Sequence, residues 1–238
     1  MTQTTLTPTG TGSTRGPIVH PQLWGVVAER LRDDILGGVL PEGTKLAERD
    51  LAARYGVSRG PVREALREMT RLGLAVDLPR RGTFVSSPSE SDLEEVYFAR
   101  DVIETAAARL AIARAHKDEL AALRKLLPKM EAAYQAGDYT TAWGLDLDFH
   151  RAIVVLGGNS RLLTTFDQLA SETILLLRTA HERRQPLNWV PPTTWEQDRV
   201  HRDIVEALIA RDEARVAAAI ELHFGYTEER PFDVASLR

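Results

Sequence analysis

Three histidines and one aspartate have residue types and spacings that suit a shared metal ion. Asp146 and His150 are four residues apart, so on a helix their side chains lie on the same side. His201 and His223 each continue the apolar stripe of a separate helical pattern, which turns both rings toward the interior. Imidazole nitrogens combined with a carboxylate suit a divalent ion such as zinc, nickel or manganese.

Each of these histidines also has an interpretation that needs no metal. A single inward histidine, such as His201 or His223 alone, is more often a hydrogen-bonded residue of the core. Four candidate ligands together favour a metal site. The remaining histidines are His20, His116 and His181, which fall in a tail, at a helix end and in a basic run, where ordinary solvation explains them.

A second group of residues has the types and spacing for contacts with nucleic acid. Arg59 and Arg63 are one helical turn apart, and Arg49 lies near the start of the preceding helical segment. The planar guanidinium group matches two acceptors of guanine in the major groove, or a phosphate. Glu64 and Glu68 offer a competing interpretation, in which this face is solvated and salt-bridged. The spacing favours DNA contacts without excluding that alternative.

These arginines belong to a segment whose pattern predicts three helices and a hairpin. Helical periods cover 23–36, 46–55 and about 58–72, and Gly56 marks a tight turn between the last two. Two short strands follow, joined by a turn over residues 79–82 that contains Arg80, Arg81 and Gly82. A narrow cationic tip of this kind is suited to a minor groove. The pattern therefore predicts a winged helix-turn-helix.

The rest of the chain is helical in period. We predict six helices, over about 91–115, 118–136, 139–156, 160–184, 195–210 and 212–229, with a capping box of Thr194 and Gln197 or Thr193 and Glu196 opening the fifth. The predicted fold is mainly α. Its predicted parts are a disordered tail (1–20), a winged helix-turn-helix (21–86), a linker (87–90), an all-helical bundle that senses a metal or effector (91–230) and a C-terminal tail (231–238).

Charge is distributed unevenly along the chain, whose formal net charge is −4. Residues 45–82 contain nine Lys and Arg against five Asp and Glu, whereas residues 83–238 contain eighteen against twenty-five. One end is thus suited to an anion. The absence of cysteine excludes disulfides and cysteine-ligated zinc. No apolar run reaches the roughly 18 residues of a membrane span, and the absence of cysteine fits a reducing cytoplasm, so we expect a cytoplasmic protein with no membrane partner.

Residues 23–86 closely resemble the DNA-binding domain of the GntR superfamily. The resemblance rests on the stretch from Gly43 to Leu66, on Gly73-Leu74 and on Arg81-Gly-Thr-Phe-Val85. It implies base or phosphate contacts from the following residues: Arg49, Ser58, Arg59 and Arg63, with Arg81 and Gly82 at the wing. The family commonly has threonine or another small polar residue where this chain has Gly60, so we expect one hydroxyl contact to be missing.

Residues 91–229 resemble the FCD ligand-binding domain of the FadR branch of the same superfamily. The matching stretches are Arg100-Asp-Val-Ile-Glu104, Asp146-x-x-Phe-His150 with Gly158-Asn159, and His201 to His223. The resemblance implies that Asp146, His150, His201 and His223 bind one metal ion and that a small organic acid completes its coordination. It also implies that Arg100 pairs with the carboxylate of that acid. An ion pair with Glu104 at helical spacing explains Arg100 equally well.

The combined features predict a transcription regulator whose DNA binding is controlled by a small carboxylic acid. We expect a repressor that binds a double-stranded, inverted-repeat operator as a homodimer, because one recognition helix reads only a few base pairs. One alternative is a metalloregulator in which the ion itself is the signal. The other is a helical-bundle metalloenzyme, but the sequence nominates neither a general base nor a nucleophile, so we expect no enzyme activity.

Overall fold

The N-terminal part of the protein contains three helices and a two-stranded antiparallel sheet. The computed structural model describes residues 23–183 and 195–225, so the predictions for 1–20, 231–238 and the capping box at Thr193 or Thr194 lie outside the described residues. The elements are α1 (Leu23–Leu36), α2 (Glu48–Tyr55), α3 (Arg59–Arg71), β1 (Ala75–Leu78) and β2 (Gly82–Val85).

Helices α1 and α3 pack against each other through the apolar stripes that the sequence predicts. Leu31 and Ile35 on α1 and Val62 on α3 are fully buried. Gly56 ends α2 with φ 67°, a left-handed conformation that glycine adopts without a steric penalty. The chain can therefore turn tightly from α2 into α3, which gives the helix-turn-helix.

The hairpin has the form of a wing. Ala75 pairs with Val85 at its base and Leu78 with Gly82 at its tip. Lys45 forms an isolated bridge with Phe84, which adds a third backbone segment beside the hairpin. In the turn between the strands, Arg80 has φ 64°. This turn projects basic side chains from the end of the sheet.

The C-terminal part of the protein is all-helical. Its helices are α4 (Glu90–Arg114), α5 (Lys117–Ala122), α6 (Leu127–Gln135), α7 (Tyr139–Leu156), α8 (Ser160–Glu182), α9 (Trp195–Ala210) and α10 (Glu213–His223). A capping box of Ser89 and Asp92 begins α4. Phe149 on α7, Ile204 on α9 and Ile220 on α10 lie at the centre of the bundle core. The predicted mainly α fold is confirmed, and no described helix is long and apolar enough to cross a bilayer.

Two helix predictions were wrong in their bounds. The helix predicted over 118–136 is divided into α5, a 3₁₀ turn (Leu123–Lys125) and α6. Pro128 lies in the first turn of α6, where its missing N–H is tolerated, but its ring would clash inside a continuous helix. The last helix, predicted to reach 229, ends at His223, because Gly225 has φ 77°.

Helix α8 joins the two parts of the protein. Leu175 is 1% exposed and belongs to the apolar cluster formed by α1, α3 and the hairpin. A Cβ atom at Gly38, after α1, would lie 2.5 Å from Arg178 Nη1, and one at Gly73, after α3, would lie 2.5 Å from the Glu172 carboxyl group. The two glycines therefore allow the ends of α1 and α3 to approach α8 closely.

Candidate metal site and nucleic-acid surface

The four predicted metal ligands converge in the bundle. Asp146 and His150 lie on successive turns of α7, His201 is on α9 and His223 is on α10. All four residues are buried. Each offers one ligand atom, and these atoms lie within 4.8 Å of one another. The apolar stripes of three helices thus bring the four side chains to one point inside the core.

One carboxylate oxygen lies at the centre of this cluster. Asp146 Oδ1 is 2.9 Å from His201 Nε2 and 3.9 Å from the Nε2 atoms of both His150 and His223. His150 Nε2 is buried and has no hydrogen-bond partner among the residues that the structure describes. Zinc binds histidine nitrogen at about 2.0–2.1 Å, so an ion placed between these atoms requires only small side-chain movements.

The environment of the cluster lowers the pKa values of two of the four candidate ligands, Asp146 and His223. Burial alone raises the pKa of Asp146, but the nearby histidines outweigh it and hold that pKa well below its usual value. Burial and the neighbouring His150 lower the pKa of His223 well below its usual value. Metal binding requires ionised carboxylates and neutral imidazoles. The ionised carboxylate of Asp146 and the neutral ring of His223 are therefore forms that this environment favours and that a metal can bind.

Glu104 is a site residue for which the sequence indicated only one role, as the ion-pair partner of Arg100. Its Oε2 atom contacts His150 Nδ1, and both side chains are at most 1% exposed. Metal-bound histidines commonly donate their second ring N–H to a carboxylate. A proton on Nδ1 leaves Nε2 as the atom that can bind metal. The sequence contained no signal for this contact, because Glu104 and His150 lie on different helices.

Arg100 lies beside the cluster with a polar group that lacks a partner. Its Nε donates to Glu104 Oε1 at 2.9 Å, so the predicted helical ion pair is present. Within the described ranges, its buried Nη2 atom has no hydrogen-bond partner. The guanidinium carbon lies 5.0–5.8 Å from the ring centroids of Tyr97, Phe166 and Phe224. A carboxylate would satisfy the free edge of the guanidinium group.

The resemblance to the GntR superfamily implied DNA contacts from three arginines of α2 and α3. All three are exposed, but their surroundings differ. Arg63 forms a two-point ion pair with Glu48, and Arg49 forms one hydrogen bond to Asp50. Arg59 makes no ion pair within the described part of the chain. The predicted acidic partners on α3, Glu64 and Glu68, instead bind the next two arginines of the helix, Arg67 and Arg71.

The other implied DNA contacts lie at helix and hairpin ends. Ser58 is the N-cap residue of α3, but its exposed hydroxyl makes no capping bond. Arg81 lies 5.6 Å from the ring of Phe84, next to Gly82 with φ 99°. A Cβ atom at Gly60 would have no neighbour within 4 Å in the described part of the chain, so packing there does not impose the missing hydroxyl.

Comparisons with known proteins match the N-terminal and C-terminal parts of the chain to two different families. Residues 24–85 match the family described as bacterial regulatory proteins, gntR family, and residues 95–226 match the FCD domain. The chain is 33% identical over 201 residues to the probable D-xylose utilization operon transcriptional repressor of Paenarthrobacter nicotinovorans, with 83% of this chain and 85% of that protein covered.

Two further similarities extend the comparison. The chain is 34% identical over 170 residues to the gluconate operon transcriptional repressor of Bacillus licheniformis, with 67% and 69% of the two chains covered. The structure of McbR/YncC from E. coli has the same fold, with a TM-score of 0.71, 24% identity and coverage of 85% and 93%. The relatives are transcription regulators rather than enzymes, and the chain belongs to the GntR family of bacterial regulatory proteins, with an FCD domain as its C-terminal part.

Proposed function

We propose that this regulator is a cytoplasmic, homodimeric repressor whose binding to double-stranded operator DNA is controlled by a small carboxylic acid at a divalent metal site. The observation that carries the proposal is the buried group of Asp146, His150, His201 and His223, with ligand atoms within 4.8 Å of one another. Repression is proposed from relatives that are named as repressors.

The donor set fits a borderline divalent ion. Three imidazole nitrogens and one carboxylate oxygen suit zinc, nickel or manganese, and the chain has no cysteine to compete. The unpartnered Nε2 of His150 supports this interpretation, because a buried polar atom without a partner is costly. When bound, the ion supplies coordination positions that a carboxylate oxygen can fill.

Arg100 supports a carboxylic acid as the effector. Its Nε is held by Glu104, which fixes the plane of the guanidinium group, while its Nη2 atom is unpartnered. Three aromatic rings lie around this group, so an acid that pairs with it would have to be small. The relative named for the gluconate operon makes sugar acids one reasonable class to screen.

For DNA binding, we propose that α3 enters the major groove and that the hairpin tip contacts the minor groove. Exposed Arg59 and Arg63 at the start of α3, the free hydroxyl of Ser58 and the basic tip at Arg81 support this orientation. A homodimer would present two copies of α3 related by a two-fold axis.

A combined measurement of metal content, ligand binding and DNA binding tests the proposal. Small carboxylic acids are screened for thermal stabilisation of metal-loaded and metal-stripped protein, because a ligand specific for the folded state raises stability. An effector is expected to change operator affinity by roughly 5- to 150-fold. If the stripped protein responds to the acid as the loaded protein does, the metal has no role in sensing. If metal alone produces the full change, the protein is a metalloregulator.

The substitution His201→Ala provides the genetic test. We expect it to reduce metal occupancy and abolish the effector response while DNA binding by the ligand-free protein persists. His116→Ala is the matched control, because His116 is exposed at the start of α5. Normal metal content and a normal acid response in His201→Ala would refute the site assignment.

A further inference from the structure

Glu48, the first residue of α2, lies opposite the exposed arginine row of α3. Its two carboxylate oxygens accept hydrogen bonds from Arg63 Nε at 2.9 Å and Arg63 Nη2 at 3.1 Å. Arg59 and Arg67 are one turn before and one turn after Arg63, and both contribute to the electrostatic environment of Glu48. Glu48 is therefore an anion placed within a surface that is otherwise suited to DNA.

The geometry of this ion pair leaves one edge of Arg63 available. A guanidinium group has five N–H donors, and Glu48 uses the one on Nε and one on Nη2. The remaining edge, formed by Nη1 and Nη2, can donate two parallel hydrogen bonds. This is the arrangement that matches O6 and N7 of guanine. The Arg63 side chain is 55% exposed, so DNA can approach this edge.

Arg63 differs in this respect from the other two arginines implied in DNA contacts on α2 and α3. Arg49 makes a single hydrogen bond to its chain neighbour Asp50, and Arg59 has no ion pair within the residues that the structure describes. A two-point contact restricts the torsions of a long side chain, so less conformational entropy remains to be lost on binding. Among these three, only Arg63 is thus held in a fixed orientation.

We propose that Glu48 is a specificity-determining residue that positions Arg63 to read one guanine and disfavours DNA that lacks it. This inference rests on the proposed function, because it places α3 in the major groove. Glu48 has two opposing effects. It orients Arg63 for a base contact, which strengthens binding to the operator, and its negative charge weakens binding to the phosphates of any duplex.

The test begins with selection of duplexes from a random pool by the wild-type protein, which defines a consensus. Affinities of wild type and Glu48→Ala are then measured for the consensus and for a shuffled duplex of equal length. We expect consensus binding to weaken by about tenfold, as for one lost two-point base contact. Binding to the shuffled duplex should strengthen by about twofold, because an anion has been removed. Selection with Glu48→Ala should lose the preference for one guanine in each half-site.

Glu68→Ala is the matched control. It removes one negative charge from the same helix-turn-helix and frees Arg71, two turns beyond Arg63. We expect it to strengthen binding to both duplexes by the same factor and to leave the guanine preference intact. In an Arg63→Ala background, Glu48→Ala should cause no further loss of selectivity, because the group that it positions is absent.

The outcomes separate this inference from the proposed function. If the wild type enriches no sequence, the proposed function fails. Suppose that the wild type enriches a consensus. If Glu48→Ala then keeps the wild-type ratio of consensus to shuffled affinity and the preference for guanine, only the positioning role of Glu48 is refuted. Weaker binding to both duplexes together with a lower unfolding temperature would assign Glu48 a structural role, which also overturns the inference.

Discussion

The substitution Glu104→Gln tests whether the buried contact of Glu104 on α4 with His150 on α7 supports metal binding. Glutamine keeps the size of the side chain but removes the charge that faces His150 Nδ1. Loss of a carboxylate partner of a metal-bound histidine typically weakens metal affinity by about 10- to 100-fold. That range corresponds to about 1.4–2.7 kcal/mol of binding free energy. We therefore expect zinc to bind the variant, but more weakly by this factor.

The same substitution should also lower the stability of the metal-free protein. Glu104 is the ion-pair partner of Arg100, and both side chains are 1% exposed. Removing one partner of a buried ion pair costs about 3–5 kcal/mol of unfolding free energy, and we expect the lower part of that range because glutamine retains an acceptor. Burial raises the pKa of Glu104, but Arg100 and His150 outweigh it and lower the pKa, so the carboxylate is the form that folding requires.

Two measurements and one control check these values. Zinc affinity is measured in competition with a chelator, and stability by urea unfolding of stripped protein. Glu206→Gln is the control, because it breaks an exposed ion pair with Arg124 in the same domain. We expect the control to leave zinc affinity unchanged and stability within about 1 kcal/mol of wild type. Wild-type zinc affinity in a folded Glu104→Gln protein would refute the supporting role of Glu104.

Three further predictions concern stability, each measured on metal-free protein. Leu175→Ala should destabilise the N-terminal core by about 2–5 kcal/mol, and amide hydrogen exchange in α1 and α3 should become faster. Unchanged exchange in these helices would show that the N-terminal core is independent of α8. Gly73→Ala should lower the free energy of unfolding in urea by about 1–3 kcal/mol, because φ at this position is 70° and the new Cβ atom meets Glu172. Adding Glu172→Ala should remove only the clash with Glu172. Full recovery of stability would contradict a cost from the left-handed backbone. Burial and the charge of Glu221 raise the pKa of Asp101 to about 6, so its ionised form destabilises the folded state above that pH. Asp101→Asn should thus stabilise the protein by about 1 kcal/mol at pH 8, after allowance for partial exposure, and this gain should vanish as pH falls toward 4; a gain that persists at pH 4 would exclude the titration as its cause.

The fold could be predicted from the sequence where one local rule decides the structure. The spacing of Val27, Leu31 and Ile35 reflects one buried face of a helix, and Gly56 marks a left-handed turn that other residues adopt at a cost. Pro128 carried an equally local signal for the break between α5 and α6, but the apolar period across 118–136 outweighed it. The prediction of one helix was wrong because the apolar period does not depend on the backbone N–H that Pro128 lacks and that a continuous helix would need.

The candidate site could be predicted only in part, because its contacts join helices that are distant in sequence. His201 and His223 were identifiable from the stripes that they continue, since a stripe faces the core whatever its partner. The contact of Glu104 with His150 depends on how α4 crosses α7, and no local spacing encodes that crossing. Leu175 poses the same difficulty, since its period shows that it is buried but not which core it enters.

Helix α8 has a consequence for the exchange of sensors between regulators of this kind. Phe166 lies beneath Arg100, and Leu175 lies in the N-terminal core; at 1.5 Å per residue these positions are about 14 Å apart along one helix. In a chimera joined within residues 86–89, the N-terminal core would come from one protein, but the residue at position 175 that completes this core would come from the other. Three residues of α8 contact the N-terminal part: Leu175, Arg178 opposite Gly38 and Glu172 opposite Gly73. A functional hybrid should therefore take these three residues from the protein that supplies its N-terminal part, although in sequence they belong to the sensor.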